Sequence, residues 1–166
     1  MINNSMLKYK LAQAANPKNN SNNYEVTPIA KPIIDLGPSP TSFNISKATE
    51  ANDYYRRVIW TGPNLQSTLM TIKKGSDIGL EVHPSTDQFI RIEQGEGQVQ
   101  MGNAKDNLTY IQPVFEDSAI FVPAGTWHNV VNTGKQDLKV YTIYAPPHHE
   151  KGIIDVTRED AELKGD

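Results

Sequence analysis

From Tyr54 onward the chain is a succession of short β-type runs closed by turn residues, and this pattern limits the fold more than any other feature. "YYRRVIWTG", "LQSTLMTIKKG", "DQFIRIEQGEG", "GQVQMG", "SAIFVPAG", "TWHNVVNTG" and "LKVYTIYAPP" each carry Val, Ile, Thr or aromatic residues, and most end in Gly, Asn or Pro. β-Branched and aromatic side chains suit a pleated, half-buried surface, and Gly, Asn and Pro suit the turns between. Several short strands at this spacing predict an all-β sandwich or barrel. With 166 residues the chain is the size of one domain, able to bury roughly two thirds of its unfolded surface around one core.

The flanks read differently. Residues 1–23 are rich in Asn with few large apolar side chains, so they can offset little of the entropy cost of ordering and are expected to form a flexible arm. A short helix over Met6 to Ala15 is the alternative, because Leu7, Leu11 and Ala14 fall at helical spacing. In residues 24–53, Pro28, Pro32, Pro38 and Pro40 forbid a central strand or helix interior, which predicts an extended strap. The barrel is expected over 54–156. A terminal helix or tail follows over 157–166, with Thr157 as N-cap and Asp160 three residues on.

Lys and Arg total 16 against 19 Asp and Glu, with no block of like charge, which argues against nucleic acid as a partner. There is no cysteine, so disulfides and thiolate ligands are excluded, and any metal must be held by His, carboxylate or amide. No run is long and apolar enough to span a membrane, and the N-terminus lacks the apolar stretch of a signal peptide. The expectation is a soluble, cytoplasmic protein.

Candidates for chemistry are few: four histidines, no Gly-rich phosphate loop after a strand and no nucleophile-elbow serine. His148 and His149 follow Pro146 and Pro147 and read as loop residues, with closure over the barrel mouth as the alternative. His83 and His128 lie in strand-like stretches, each beside a turn signal. Residues two apart on a strand share a face, so Glu81, His83 and Ser85 are expected on one side of "EVHPS", and Thr126, His128, Val130 and Asn132 on one side of "TWHNVVN". Such a polar set, if buried, must satisfy itself or bind something. Trp60, Phe89, Phe121 and Trp127 are expected in the core or the pocket wall. "NAKDN", 103–107, reads as a hairpin turn.

These residues carry a resemblance. "EVHPSTDQFIRIEQGEG" resembles the first motif of the cupin superfamily, and "SAIFVPAGTWHNVVN" the second. The first motif has His-x-His, a Glu shortly after and a Gly beyond six intervening residues; here these positions are His83, Ser85, Gln88 and Gly95. The second has Pro-x-Gly-x-x-His-x-x-x-Asn, matched by Pro123, Gly125, His128 and Asn132. Within the superfamily the chain is similar to small single-domain cupins labelled mannose-6-phosphate isomerase-like. The resemblance implies a double-stranded β-helix, or jelly roll, with a polar pocket in the barrel mouth and a homodimer as the assembly. It also implies a divalent transition metal, Zn, Fe, Ni or Mn, held here by His83, Gln88 and His128.

Ser85 and Gln88 depart from the pattern: a hydroxyl ligates such metals poorly, and an amide oxygen brings no charge. Glu81 is the nearest further donor, and Asp87 a second. Ser85, Trp127 and Phe89 are expected to line the pocket. Two classes of function stand side by side. One is an isomerase or lyase acting on a small polar, possibly sugar-like metabolite, with Glu81 and His128 as catalytic groups; an iron-dependent dioxygenase is a variant of it. The other is a metal-free cup that binds a sugar or small acid without catalysis.

Overall fold

The computed structural model describes residues 35–164. The arm, its alternative helix over Met6 to Ala15 and the first part of the strap lie outside the described residues. The elements run α1 (Ile45–Glu50), β1 (Arg56–Thr61), β2 (Gln66–Ile72), β3 (Asp87–Gln94), β4 (Glu96–Gly102), β5 (Tyr110–Phe115), β6 (Ala119–Val122), β7 (Trp127–Asn132), β8 (Leu138–Ala145), β9 (Ile154–Asp155) and α2 (Arg158–Glu162). One sheet has the order β6-β3-β8-β2-β1-β9 and the other β5-β4-β7, with every pairing antiparallel. This is the jelly-roll architecture expected from the sequence.

The core lies between the sheets. Met70 and Ile72 of β2, Ile90 and Ile92 of β3, Val99 of β4, Val130 of β7 and Val140 of β8 are in contact there, all 4% exposed or less. The period-2 rule sorts β3 cleanly: Gln88, Ile90 and Ile92 are buried, while Phe89 and Arg91 alternate with them. β7 likewise buries His128, Val130 and Asn132. Asn132, the last residue of the second motif, is structural: its amide donates to the carbonyls of Ile72 and Gln136, both at 2.9 Å, and its oxygen accepts from Gly134 N at 3.0 Å.

Gly95, the last residue of the first motif, has a local explanation too. Its φ is +92°, and a Cβ there would lie 2.9 Å from the Asp137 carbonyl oxygen, so both backbone and space demand glycine. Gly95→Ala should lower stability by about 1–3 kcal/mol in urea unfolding. No measurable loss would show that the turn between β3 and β4 relaxes freely.

Two findings differ from expectation. Within the range read as an extended strap, Ile45–Glu50 is helical; Pro38 and Pro40 precede it, and Asn44 caps it by accepting from Lys47 N at 2.9 Å. Ala48 of this helix packs on Ile59 and Leu69, with Ile45 and Tyr141 alongside, so an apolar patch on the large sheet decides the conformation. Phe121, expected in the core or pocket wall, is not in the core: it is 70% exposed, stacks edge-on against Phe89 at 5.1 Å and lines a cleft instead. The C-terminal cap is as read: Thr157 and Asp160 form a reciprocal capping box at the start of α2. The 103–107 stretch joins β4 to β5 and is closed by the Ala104–Asn107 bridge.

Candidate metal centre

His128 sits on β7 directly after the Pro-x-Gly turn, on the inward face with Val130 and Asn132. Opposite it runs an irregular segment before β3, which behaves as an extra strand along β7. Ile78 N donates to Val130 O at 3.1 Å, Glu81 N to His128 O at 3.0 Å, and His128 N to Glu81 O at 2.9 Å. Glu81 and His128 thus exchange both backbone bonds, which puts their side chains opposite one another on the same face. Two residues on, Gly125 N donates to His83 O at 2.8 Å and ties His83 to the same turn.

The result is a compact group: one ligating atom from each of Glu81, His83 and His128 falls within 4.8 Å of the others. Glu81 Oε1 lies 3.3 Å from His83 Nε2 and 3.2 Å from His128 Nε2. Both imidazoles are buried, at 4% and 0% exposure, and neither Nε2 has an aligned hydrogen bond. His128 Nδ1 faces the Thr126 carbonyl at 3.0 Å. A carbonyl only accepts, so Nδ1 carries the proton, and in the neutral ring Nε2 presents a lone pair to the Glu81 oxygen. Two electron-rich atoms face to face need a cation or a proton between them.

Burial pushes the Glu81 carboxyl up, but with no metal between them, protons on the facing His128 and His83 nitrogens would donate to it and outweigh burial, holding it at about 2. The carboxylate is therefore ionised at neutral pH and supplies the negative charge absent from Gln88. Gln88, at 3% exposure, turns its amide nitrogen to Tyr144 Oη at 3.0 Å, leaving its Oε1 buried without a partner. Burial pushes the Tyr144 phenol up, with the Glu81 charge adding to the shift, so this hydroxyl keeps its proton. The residues present thus fit a divalent transition metal: two imidazoles and one carboxylate converge.

Other expected site residues are placed elsewhere. Ser85 is exposed in a turn; the strand breaks at Pro84, so the face shared by Glu81 and His83 stops there. Phe89 neighbours the inward Gln88 and so faces the other side of the sheet, against Phe121 and Tyr141. Trp127 alternates away from His128, and Lys105 Nζ stands 5.9 Å from its ring. Asp87 accepts from Ala124 N at 2.8 Å and braces the Pro-x-Gly turn.

Three further residues stand beside the group; of these Tyr144 was not singled out from sequence, and His148 and His149 were read first as loop residues. Tyr144 follows Val140 and Thr142 on the inward face of β8, and this alternation was the available signal. His148 and His149 are loop residues as expected, yet the His148 ring lies 4.0 Å from that of His83 and the His149 ring 4.8 Å from that of Tyr144. Gln66, fully buried, holds this loop: its oxygen accepts from His148 N at 3.2 Å and His149 N at 2.9 Å, while its nitrogen donates to His149 O at 2.9 Å. Gln66→Ala should cost about 1–3 kcal/mol and speed amide exchange at His148 and His149. Unchanged exchange there would mean that the loop is held by something else.

A cleft of about 510 Å³ opens between the sheets along Val99, Met101, Tyr110, Ile120 and Phe121. Met101 is the register partner of His128, so cleft and metal centre share a wall. No Lys, Arg, Asp or Glu lines it.

Two facing antiparallel sheets with imidazoles and a carboxylate gathered between them define the class: the chain belongs to the cupin superfamily, and the cupin domain family model matches residues 68–144. It is 55% identical over 129 residues to the uncharacterized protein YrkC of Bacillus subtilis strain 168, spanning 78% of this chain and 69% of that one. An uncharacterized protein of Acanthamoeba polyphaga mimivirus is 46% identical over 116 residues, 69% of this chain and 71% of its own. The crystal structure of BH2720 from Bacillus halodurans superposes with a TM-score of 0.78 at 53% identity, covering 79% of this chain and 99% of that one. Among the described residues no helix is long and apolar enough to cross a membrane.

Proposed function

We propose that this cupin is a metal-dependent enzyme of isomerase or lyase type acting on a small, polar, uncharged metabolite, with Glu81, His83 and His128 holding a divalent transition metal. The observation that carries the reading is the His128 tautomer: its Nδ1 proton is committed to Thr126 O, which leaves Nε2 free to ligate beside an ionised carboxylate. Bound there, the metal would act as a Lewis acid on a substrate oxygen. Glu81, expected from sequence as a proton carrier, is read here as a ligand, because its Oε1 lies 3.3 Å from His83 Nε2 and 3.2 Å from His128 Nε2 within one convergent donor group.

Gln88 and Tyr144 supply substrate recognition in this reading. The buried Gln88 Oε1 accepts a substrate O–H or N–H, and the Tyr144 hydroxyl, still protonated, donates to a substrate oxygen. The cleft mixes apolar side chains with Tyr110, Gln112 and Ser118 and offers no cation to a phosphate, which favours a neutral hydroxylated compound over a phosphorylated one. The test is a screen of metal-loaded protein against sugars and hydroxy acids, each free and phosphorylated, with product detected by mass spectrometry. Turnover of a neutral compound that is lost in His128→Ala supports the reading. Tight binding without any product, in metal-loaded and metal-stripped protein alike, would favour a non-catalytic cup instead.

A further inference from the structure

All four histidines of the chain gather in one place. His83 and His128 belong to the convergent group with Glu81, their ring centroids 5.2 Å apart. His148 stands next, its ring tilted 54° against that of His83 at a centroid distance of 4.0 Å. His83 is almost fully buried whereas His148 is exposed, so the His148 ring lies on the solvent side of the buried pair. His149 is buried behind it, edge-on to Tyr144.

The loop that carries His148 is anchored through its backbone. Gln66 binds both peptide nitrogens and the His149 carbonyl, and is itself fixed by donating to Thr61 Oγ1 at 3.1 Å. The Cα of His148 is thereby held, and its two side-chain torsions place the ring against His83. Its ligating nitrogens fall outside the 4.8 Å group formed by Glu81, His83 and His128, so the ring must turn to join that group. One side-chain rearrangement costs little against the strength of a metal–imidazole bond.

Resting on the metal-dependent reading above, we infer that His148 is a further ligand of the metal, delivered by the loop after β8 and able to leave. Three imidazoles and one carboxylate then close the shell in the resting protein. Because His148 is the exposed member and its main chain is anchored, its side chain is the ligand that would give way to a small molecule carrying adjacent oxygens.

The experiment loads metal-stripped protein with one equivalent of copper(II) and counts coordinated imidazoles by pulsed electron paramagnetic resonance. The wild type should show three, His148→Ala and His148→Gln two, and His149→Ala three. Zinc affinity, measured by competition with a chromophoric chelator, should fall by about 10–100-fold in both His148 variants. Two imidazoles in the wild type, unchanged in His148→Ala, would overturn the His148 assignment while leaving the Glu81, His83 and His128 site intact. Absence of any specific copper or zinc site in the wild type would overturn the metal-dependent reading and this inference with it. His148 is exposed and its loop is held through main-chain atoms, so both variants are expected to keep the wild-type circular dichroism spectrum.

Discussion

Asp155→Asn should destabilise the protein by about 3–5 kcal/mol in urea unfolding, a large share of the stability of a domain this size. Asp155 is fully buried at the pairing of β9 with β1, where its register partner is Arg56, itself 4% exposed. Arg56 Nε donates to Asp155 Oδ2 at 2.8 Å, and Lys164 Nζ reaches the other oxygen from beyond α2. One carboxylate thus balances a buried guanidinium and ties the C-terminal segment to the barrel. Neutralising it takes from the buried Arg56 guanidinium the carboxylate charge that its Nε binds, and that penalty exceeds the value of the bond itself. Replacing both partners, as in Arg56→Met/Asp155→Leu, should recover much of the loss, because an apolar pair has no charge to desolvate. A single-variant cost below about 1 kcal/mol would mean that water reaches the pair.

Removing both imidazoles of the metal centre should have the largest functional effect. Wild-type protein purified without a tag or chelator is expected to carry close to one transition metal ion per chain, and His83→Ala/His128→Ala close to none. Glu81→Gln keeps size and hydrogen bonding but removes the anion; disturbing a group that merely supports a ligand costs about 10–100-fold in affinity, and loss of an anionic ligand should cost more. Metal binding to the folded state also stabilises it, by about 2.7 kcal/mol when free metal stands at a hundred times its dissociation constant. Chelation should therefore lower the melting temperature of the wild type and leave the double variant unchanged. Equal metal content in wild type and double variant would place the ion elsewhere and remove the basis of the proposed enzyme.

Much of the barrel was legible from residue order. Gln88, Ile90 and Ile92 alternate with Phe89 and Arg91 because successive strand side chains point to opposite faces, and that rule needs no partner strand. Gly95 and the Pro123–Gly125 turn are likewise local: a positive φ at Gly95 and at Gly125 follows from the bend of the chain. The cap of α2 involves only Thr157 and Asp160. Where alternation was extended past a proline it failed, and Ser85 lies outside the site for that reason. The helix at Ile45 was hidden because its support, Ile59 and Leu69, comes from two strands later in the chain.

For the centre itself, the chain order alone determined that His83 and His128 stand beside turns on strand-like segments, and that any metal would have to be held without thiolate. Which carboxylate accompanies them was settled only by tertiary pairing: Glu81 comes to His128 because residues 77–81 lie along β7, a contact between segments far apart in sequence. The β3–β8 register brought Tyr144 to Gln88, and the anchorage of the 146–149 loop on Gln66 brought His148 to His83. Local preferences act over a few residues, whereas the convergence of donors depends on register between strands, and register is decided by the packing of the whole barrel.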